Sequence, residues 1–222
     1  MPAVTTKAKS GSREVGPSAV GAQQRSGEHR EVGSPKHVRA WTSWHGLPTL
    51  DVLHAILGKV LVHERRGRRV SGIVVEAEAY IGEGDPACHA APGPTKRNAP
   101  LYGPPGRAYV YLNYGLHFLV NAVTEAEGSP AAILIRALVP LEGVDLMRRR
   151  RAGAPDERLC NGPGNLTEAL GIDLRHNMGD LATGPVRLED HGFVVGAVTY
   201  TPRIGIRVGT DRLWRATASI ED

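Results

Sequence analysis

The sequence predicts an α+β fold, a single mixed domain built on a largely antiparallel sheet. Three observations point there. Runs that read as strands recur at 59–82, 106–143 and 185–209. Gly-containing turns inside those runs are short enough to join antiparallel neighbours. Between the runs lie only brief helical patterns, too few for a parallel α/β arrangement.

The elements follow in chain order. Residues 1–38 are rich in Ser, Gly, Ala and charge, and no Phe, Tyr or Trp precedes Trp41. Such a segment buries too little apolar area to offset its ordering entropy, so it reads as a disordered basic tail, either a loose DNA tether or a dispensable extension. The folded domain then occupies 39–222. LPTLDVLHAILG (47–58) predicts a short helix with Thr49 as N-cap and Leu50, Leu53, Ile56 and Leu57 facing the core. KVLVHERRGRRVSGIVVEAEAYIG (59–82) predicts two strands around an Arg/Gly turn. Residues 106–143 predict a hairpin and a further strand, with Pro140 opening a helix that runs into Arg148–Arg151. GPGNLTEALGI (162–172) predicts a turn and a short helix, and 185–209 a return to strands.

Composition bounds the function classes. The chain has 222 residues, 41% hydrophobic and 23% charged, which suits one globular domain. No apolar run reaches the length of a membrane span, and the first residues lack the apolar core of a signal peptide. Cys88 and Cys160 stand far apart, in no disulfide or zinc spacing, which fits a reducing cytoplasm and no metal. The pI near 9.3 permits a polyanionic partner. Of 27 basic residues, 22 are arginine, a bias that suits bidentate phosphate contacts and that a GC-rich genome would also produce.

Two segments carry chemistry. In VVEAEAYIGEGDPACHA (74–90), strand alternation puts Glu76, Glu78 and Tyr80 on one face, and a Gly/Asp/Pro loop brings His89 back. That face is either a solvated sheet surface or, if buried, a site. In YVYLNYGLHFLVN (109–121), Tyr109 and Tyr111 share a face and Asn113-Tyr114-Gly115 signals a turn. Tyr114 at the tip either packs across the strands on Leu112 or His117, or serves as a wedge for a base stack.

The segments VVEAEAYIG with CHA, PTKRN, GRAYVYLNYGLHFLVN, ILIRALVPLEG, CNGPGNLTEALGI and PRIGI occur in one order over roughly residues 40–209. In this the chain resembles the alkyladenine (3-methyladenine) DNA glycosylase family. The resemblance implies a curved sheet with a protruding β-hairpin that enters the DNA minor groove and flips a damaged nucleotide into a pocket. It implies Glu78 as the base that activates a water, with Arg136 and the backbone carbonyl of Ile204 placing that water. Tyr80, His89, Tyr111 and Asn121 would form the base pocket, Asn121 crowding the exocyclic amine of guanine. Tyr114 would fill the vacated gap, and Thr95, Arg97, Asn98 and Arg107 would meet phosphates.

The implied activity is that of a monofunctional DNA glycosylase in base excision repair, hydrolysing the N-glycosidic bond of alkylated purines such as 3-methyladenine and 7-methylguanine. Neutral lesions such as hypoxanthine or ethenoadenine need more help at the leaving group. No cofactor is implied, and the partner is double-stranded DNA containing damaged purines, met by a monomer in the cytoplasm at the nucleoid. A lyase step needs an amine; the motif region offers only Lys59 and Lys96, the latter where the family commonly has proline. The competing readings are a non-catalytic damage-binding protein and a hydrolase of free nucleosides. Tyr114 argues against the second of these, the Glu78–Tyr80–His89 spacing against the first. After PRIGI the chain ends sooner than the family does, which predicts a shortened last strand beside Ile204.

Overall fold

A computed structural model of the chain describes residues 38–42 and 46–221. The tail expected over 1–38 falls almost wholly outside them. The described residues form an α+β fold on one curled antiparallel sheet. Its strands run in the order β1 (Arg39–Ala40), β7 (Val186–Asp190), β2 (Val60–Arg65), β3 (Arg68–Ile81), β6 (Ala131–Glu142), β5 (His117–Thr124), β4 (Ala108–Asn113). The short strands β8 (Thr199–Thr201) and β9 (Arg215–Thr217) pair with each other, and β9 also pairs with β3.

β3 is the axis of the molecule. One of its edges pairs with β6 along the whole of Ser71–Ile81. The other is shared in succession: β2 covers it as far as Ile73, and β9 takes over at Glu76–Glu78. The final strand is as short as expected, yet it closes the sheet beside Glu78. No helix among the described residues is long and apolar enough to cross a membrane.

The helices are α1 (Thr49–Ala55), α2 (Val144–Arg150) and α3 (Pro163–Leu170). Two expectations for them are corrected. Thr49 is the first helical residue, not the cap, and Leu50 is 43% exposed. The inward stripe is Thr49, Val52, Leu53 and Ile56, a spacing that turns Leu50 outward. The cap comes from across the fold, where Glu125 Oε1 accepts from the Thr49 amide at 2.7 Å and from its hydroxyl at 2.6 Å. Pro140 does not open a helix but lies within β6, opposite Gly72 where the register shifts. A residue without an N–H is tolerated at such a bulge, and α2 starts only after the left-handed Gly143. Residues 202–209, expected as strand, are irregular.

The main core joins α1, α2 and α3 to the sheet through residues such as Leu53, Ile56, Leu61, Ile135, Met147 and Leu166. A second cluster around Cys88, Ala90, Leu101, Tyr109, Val123 and Ala132 supports Tyr80 and Tyr111. α3 braces the hairpin of β4 and β5: Thr167 Oγ1 donates to the Phe118 carbonyl at 2.6 Å. Gly164 permits the approach, since a Cβ there would lie 2.8 Å from the His117 side chain.

At the far end of the sheet Glu189 accepts from Arg69 at 2.7 Å and Arg187 at 2.7 Å, and shares a 2.7 Å hydrogen bond with His191. Burial pushes its carboxyl up, but those partners outweigh it and hold the pKa at about 2. Because the folded value lies below the unfolded one of about 4.3, the contribution to stability is present at neutral pH and lost as pH falls towards 2. We expect Glu189→Gln to melt lower than the parent at pH 7, with the gap narrowing as pH drops through that window. A gap in melting temperature that does not change with pH would show that the charge is irrelevant there.

Candidate active site

The alternation read from the sequence brings Glu76, Glu78 and Tyr80 together, with Glu78 buried and the other two partly so. Glu78 is fully enclosed. Its Oε2 accepts from the Tyr80 hydroxyl at 2.9 Å and from Arg136 Nη1 at 3.1 Å, and its Oε1 accepts from the Ile204 amide at 2.7 Å. Each donor comes from a different place: Tyr80 from the same strand, Arg136 from β6, Ile204 from the irregular stretch after β8. A carboxylate offers about four lone-pair positions, so three donors leave one acceptor position unused.

Arg136 is itself held. Its Nε donates to Glu76 Oε1 at 2.9 Å, and Arg215 Nε from β9 donates to the same oxygen at 2.7 Å. Burial raises the Glu76 carboxyl, yet Arg215 and Arg136 prevail and set it below its ordinary range. Glu76, not assigned a role from the sequence, thus aims Arg136 at Glu78.

In front of this cluster lies a cavity of about 390 Å³, within the range of small-ligand sites. Tyr80, His89, Tyr111, Asn121, Arg136 and Ile204 all line it. Glu78 stands one layer behind, in contact with three of those lining residues. The rings form a continuous wall: Tyr109 and Tyr111 stack with centroids 5.1 Å apart, and His89 meets Tyr111 edge-on at 4.6 Å. His89 Nδ1 and the Tyr109 hydroxyl share a 2.9 Å hydrogen bond. Burial, then the charge of Arg97, lowers the His89 pKa. Burial pushes the Tyr109 phenol up to about 12, and burial followed by the charge of Glu78 raises Tyr80. At neutral pH the wall is therefore uncharged, a surface that takes a flat, electron-poor ring. Asn121, opposite Tyr109 in the ladder, donates to its carbonyl at 2.9 Å.

The hairpin rises beside the cavity. Tyr114 (φ 48°) and Gly115 (φ 71°) are both left-handed, as in a type I′ turn, and the Leu116 amide closes it on the Asn113 carbonyl at 3.0 Å. For a tyrosine that conformation costs roughly 1–2 kcal/mol. Tyr114 is 88% exposed, so the cross-strand packing open to it in the sequence is not made.

The four residues expected at phosphates separate. Thr95 and Arg97 are exposed on the loop at the rim, with the Arg97 guanidinium 5.8 Å from the Tyr111 ring. Arg107 faces Asp180 at 3.5 Å, on a half-open surface. Asn98 is buried, and its side chain ties the loop together: its amide nitrogen donates to the carbonyls of His89 and Gly93 at 2.8 and 2.9 Å, and its oxygen accepts from the Thr95 amide at 2.6 Å. It places His89 and offers nothing outward.

Sequence reasoning missed Asp85 and Arg203. Both side chains are completely buried. Arg203 Nη1 and Nη2 donate to the two Asp85 oxygens at 2.5 and 2.8 Å, and Nη1 also reaches the Ala79 carbonyl at 2.9 Å. The guanidinium stacks 4.6 Å from the Tyr80 ring and 5.1 Å from Trp214. This pair anchors the residue next to Ile204 and backs the ring next to Glu78. Arg203 lies inside the PRIGI segment, and that was the available signal.

Comparison with known proteins gives the family. The family profile described as methylpurine-DNA glycosylase matches residues 43–220. A protein of Rubrobacter xylanophilus carrying the name 3-methyladenine DNA glycosylase is 52% identical over 72% of this chain and 83% of its own length. Proteins of the same name from Prosthecochloris aestuarii and Bradyrhizobium diazoefficiens are 46% and 44% identical, over 76% and 78% of this chain and 82% and 84% of theirs. By sequence along most of its length, this chain belongs to the methylpurine-DNA glycosylase family.

Proposed function

We propose that the chain is a monofunctional DNA glycosylase that removes alkylated purines, 3-methyladenine and 7-methylguanine among them, after flipping the damaged nucleotide into the aromatic cavity. The observation that carries the reading is a fully buried carboxylate, Glu78, held by three donors directly behind a purine-sized pocket walled by Tyr80, His89 and Tyr111.

The chemistry follows from those groups. Glu78 uses its remaining acceptor position to take a proton from a water at the seam between Arg136 and Ile204. The water oxygen attacks the sugar C1′, the N-glycosidic bond breaks, and its electron pair neutralises the cationic purine. The negative charge of Glu78 also favours the oxocarbenium-like sugar. Tyr80 and Tyr111 prefer a cationic base by ~0.5–2 kcal/mol per ring. That is modest, so the weakened bond of the alkylated purine supplies much of the selectivity. Asn121 crowds the exocyclic amine of guanine.

Thr95, Arg97 and Arg107 hold phosphates around the flipped nucleotide, and Tyr114 fills the gap it leaves. The reading carries no lyase step. Among the described residues no lysine lines the cavity, and Lys59 is paired with Asp190 at 2.7 Å. Borohydride should trap no adduct.

The test is release of free methylated base from alkylated duplex DNA by the purified chain. Tyr114→Ala should release base from duplex about tenfold more slowly, since stacking on an aromatic is worth ~1–3 kcal/mol per base, and should change little on single strands. Equal activity of parent and variant on duplex would remove the wedge; no base release by the parent would remove the glycosylase.

A further inference from the structure

A second and larger hollow lies on the other side of the hairpin. It is an open groove of about 810 Å³, and its lining includes Leu116 from the hairpin, His63 on the floor, and Arg65, Arg66, Arg68 and Arg150 along one wall. Its charge is unbalanced. The two carboxylates that line it, Glu168 and Asp173, are already engaged by Arg151 and Arg175. Arg65, Arg66 and Arg68 have no acidic partner among the described residues.

Arg150 has a role in the fold, its Nη1 donating to the Ala169 carbonyl at 2.8 Å, but Arg65, Arg66 and Arg68 make no such bond among the described residues. Arg65 and Arg68 stand directly opposite each other in the β2–β3 ladder, where like charges are destabilising. Arg66 occupies the tight turn between them with φ 51°, a conformation unfavourable for a side-chain-bearing residue. Arg150 is lowered from its ordinary value by burial and then by the charges of Arg149 and Arg68. Three guanidiniums without an acidic partner, crowded at one turn, make a surface suited to an anion.

We propose that this groove binds backbone phosphates of the DNA flank on the far side of the hairpin from the base pocket. The inference rests on the glycosylase reading and extends it. With Tyr114 and Leu116 both exposed at the tip, 88% and 76%, the hairpin separates the two hollows. A duplex penetrated by the tip carries phosphates past both of its faces. Arginine matches them because its planar fork meets phosphate oxygens in pairs. These contacts position the duplex and read no sequence.

The test compares the full chain with Arg65→Gln/Arg66→Gln/Arg68→Gln. The probe is a duplex with a stable abasic analogue and a full helical turn on each side, titrated at increasing chloride. Each neutralised phosphate contributes about 0.9 to the slope of log affinity against log salt. The triple variant should therefore lose about 2–3 from that slope and raise KM on alkylated duplex. Its turnover on a short alkylated single strand should match the parent, and its melting temperature should equal or slightly exceed the parent's, since the Arg65–Arg68 repulsion is removed. An unchanged slope overturns the proposal, and so does loss of turnover on the short single strand, which would place the arginines in support of the pocket. A third arm replaces chloride by inorganic phosphate at equal ionic strength. If phosphate alone erases the parent's advantage, the groove is a free-anion site and the proposal fails; equal behaviour in both salts supports it. A parent that releases no base from alkylated duplex would sink the glycosylase reading whatever the slope, whereas an unchanged slope beside an active parent sinks only the groove.

Discussion

Glu78→Gln should bind damaged duplex about as well as the parent and release base some 10²–10⁴-fold more slowly, the span that a positioned general base contributes. The substitution keeps the shape of the side chain and removes its charge and half of its acceptors. The site makes this a demanding replacement. The Tyr80 hydroxyl, Arg136 and the Ile204 amide all donate to Glu78. An amide has only one oxygen, so its NH₂ must face at least one of those donors. A melting curve is therefore needed beside the rate. In the proposed reading binding belongs to the aromatic wall and the rim, which Gln leaves in place, so a loss confined to turnover identifies the base. Normal turnover would exclude Glu78 from that role, and equal loss of binding would make it a structural carboxylate.

The second large effect is expected at the Arg203–Asp85 pair. Removing one partner of a buried ion pair strands the other charge, typically at a cost of about 3–5 kcal/mol. At roughly 2–4 °C per kcal/mol for a domain of this size, Asp85→Ala or Arg203→Met should lower the melting temperature by about 10 °C. Base release should fall further than the melting curve explains, because Arg203 backs the Tyr80 ring and precedes Ile204, whose amide meets Glu78. The double variant Asp85→Leu/Arg203→Met separates the two effects. An apolar pair can replace a buried ion pair with little loss, so stability should partly return while base release does not. Should the single variants melt within a degree or two of the parent, the pair is not the anchor described.

The comparison of sequence with structure divides along the range of the interactions. The alternation of Glu76, Glu78 and Tyr80, and of Tyr109 and Tyr111, was legible because a strand's period of two is local. So was the hairpin, since Gly115 marks a backbone conformation within its own four residues. The helix starting at Thr49 was legible in kind but not in detail: its cap is Glu125, 76 residues away. Pro140 misled because a proline that often starts helices also fits a bulge, and only the pairing of β3 with β6 decides between them. Asn98 looked like a polar loop residue open to phosphate, and the fold turned it inward to hold His89.

The sequence by itself determined the fold class, the faces of the strands, the turn that lifts Tyr114, and, through six segments in one order, the family. Tertiary structure alone decided that the Glu78 face is buried rather than solvated and that Asp85 meets Arg203 across 118 positions. It also decided that the Ile204 amide reaches Glu78 across 126. The reason is physical. Periodicity and turn chemistry are written in neighbouring residues, whereas an ion pair or a pocket wall depends on which distant strands share an edge, and no local pattern encodes that.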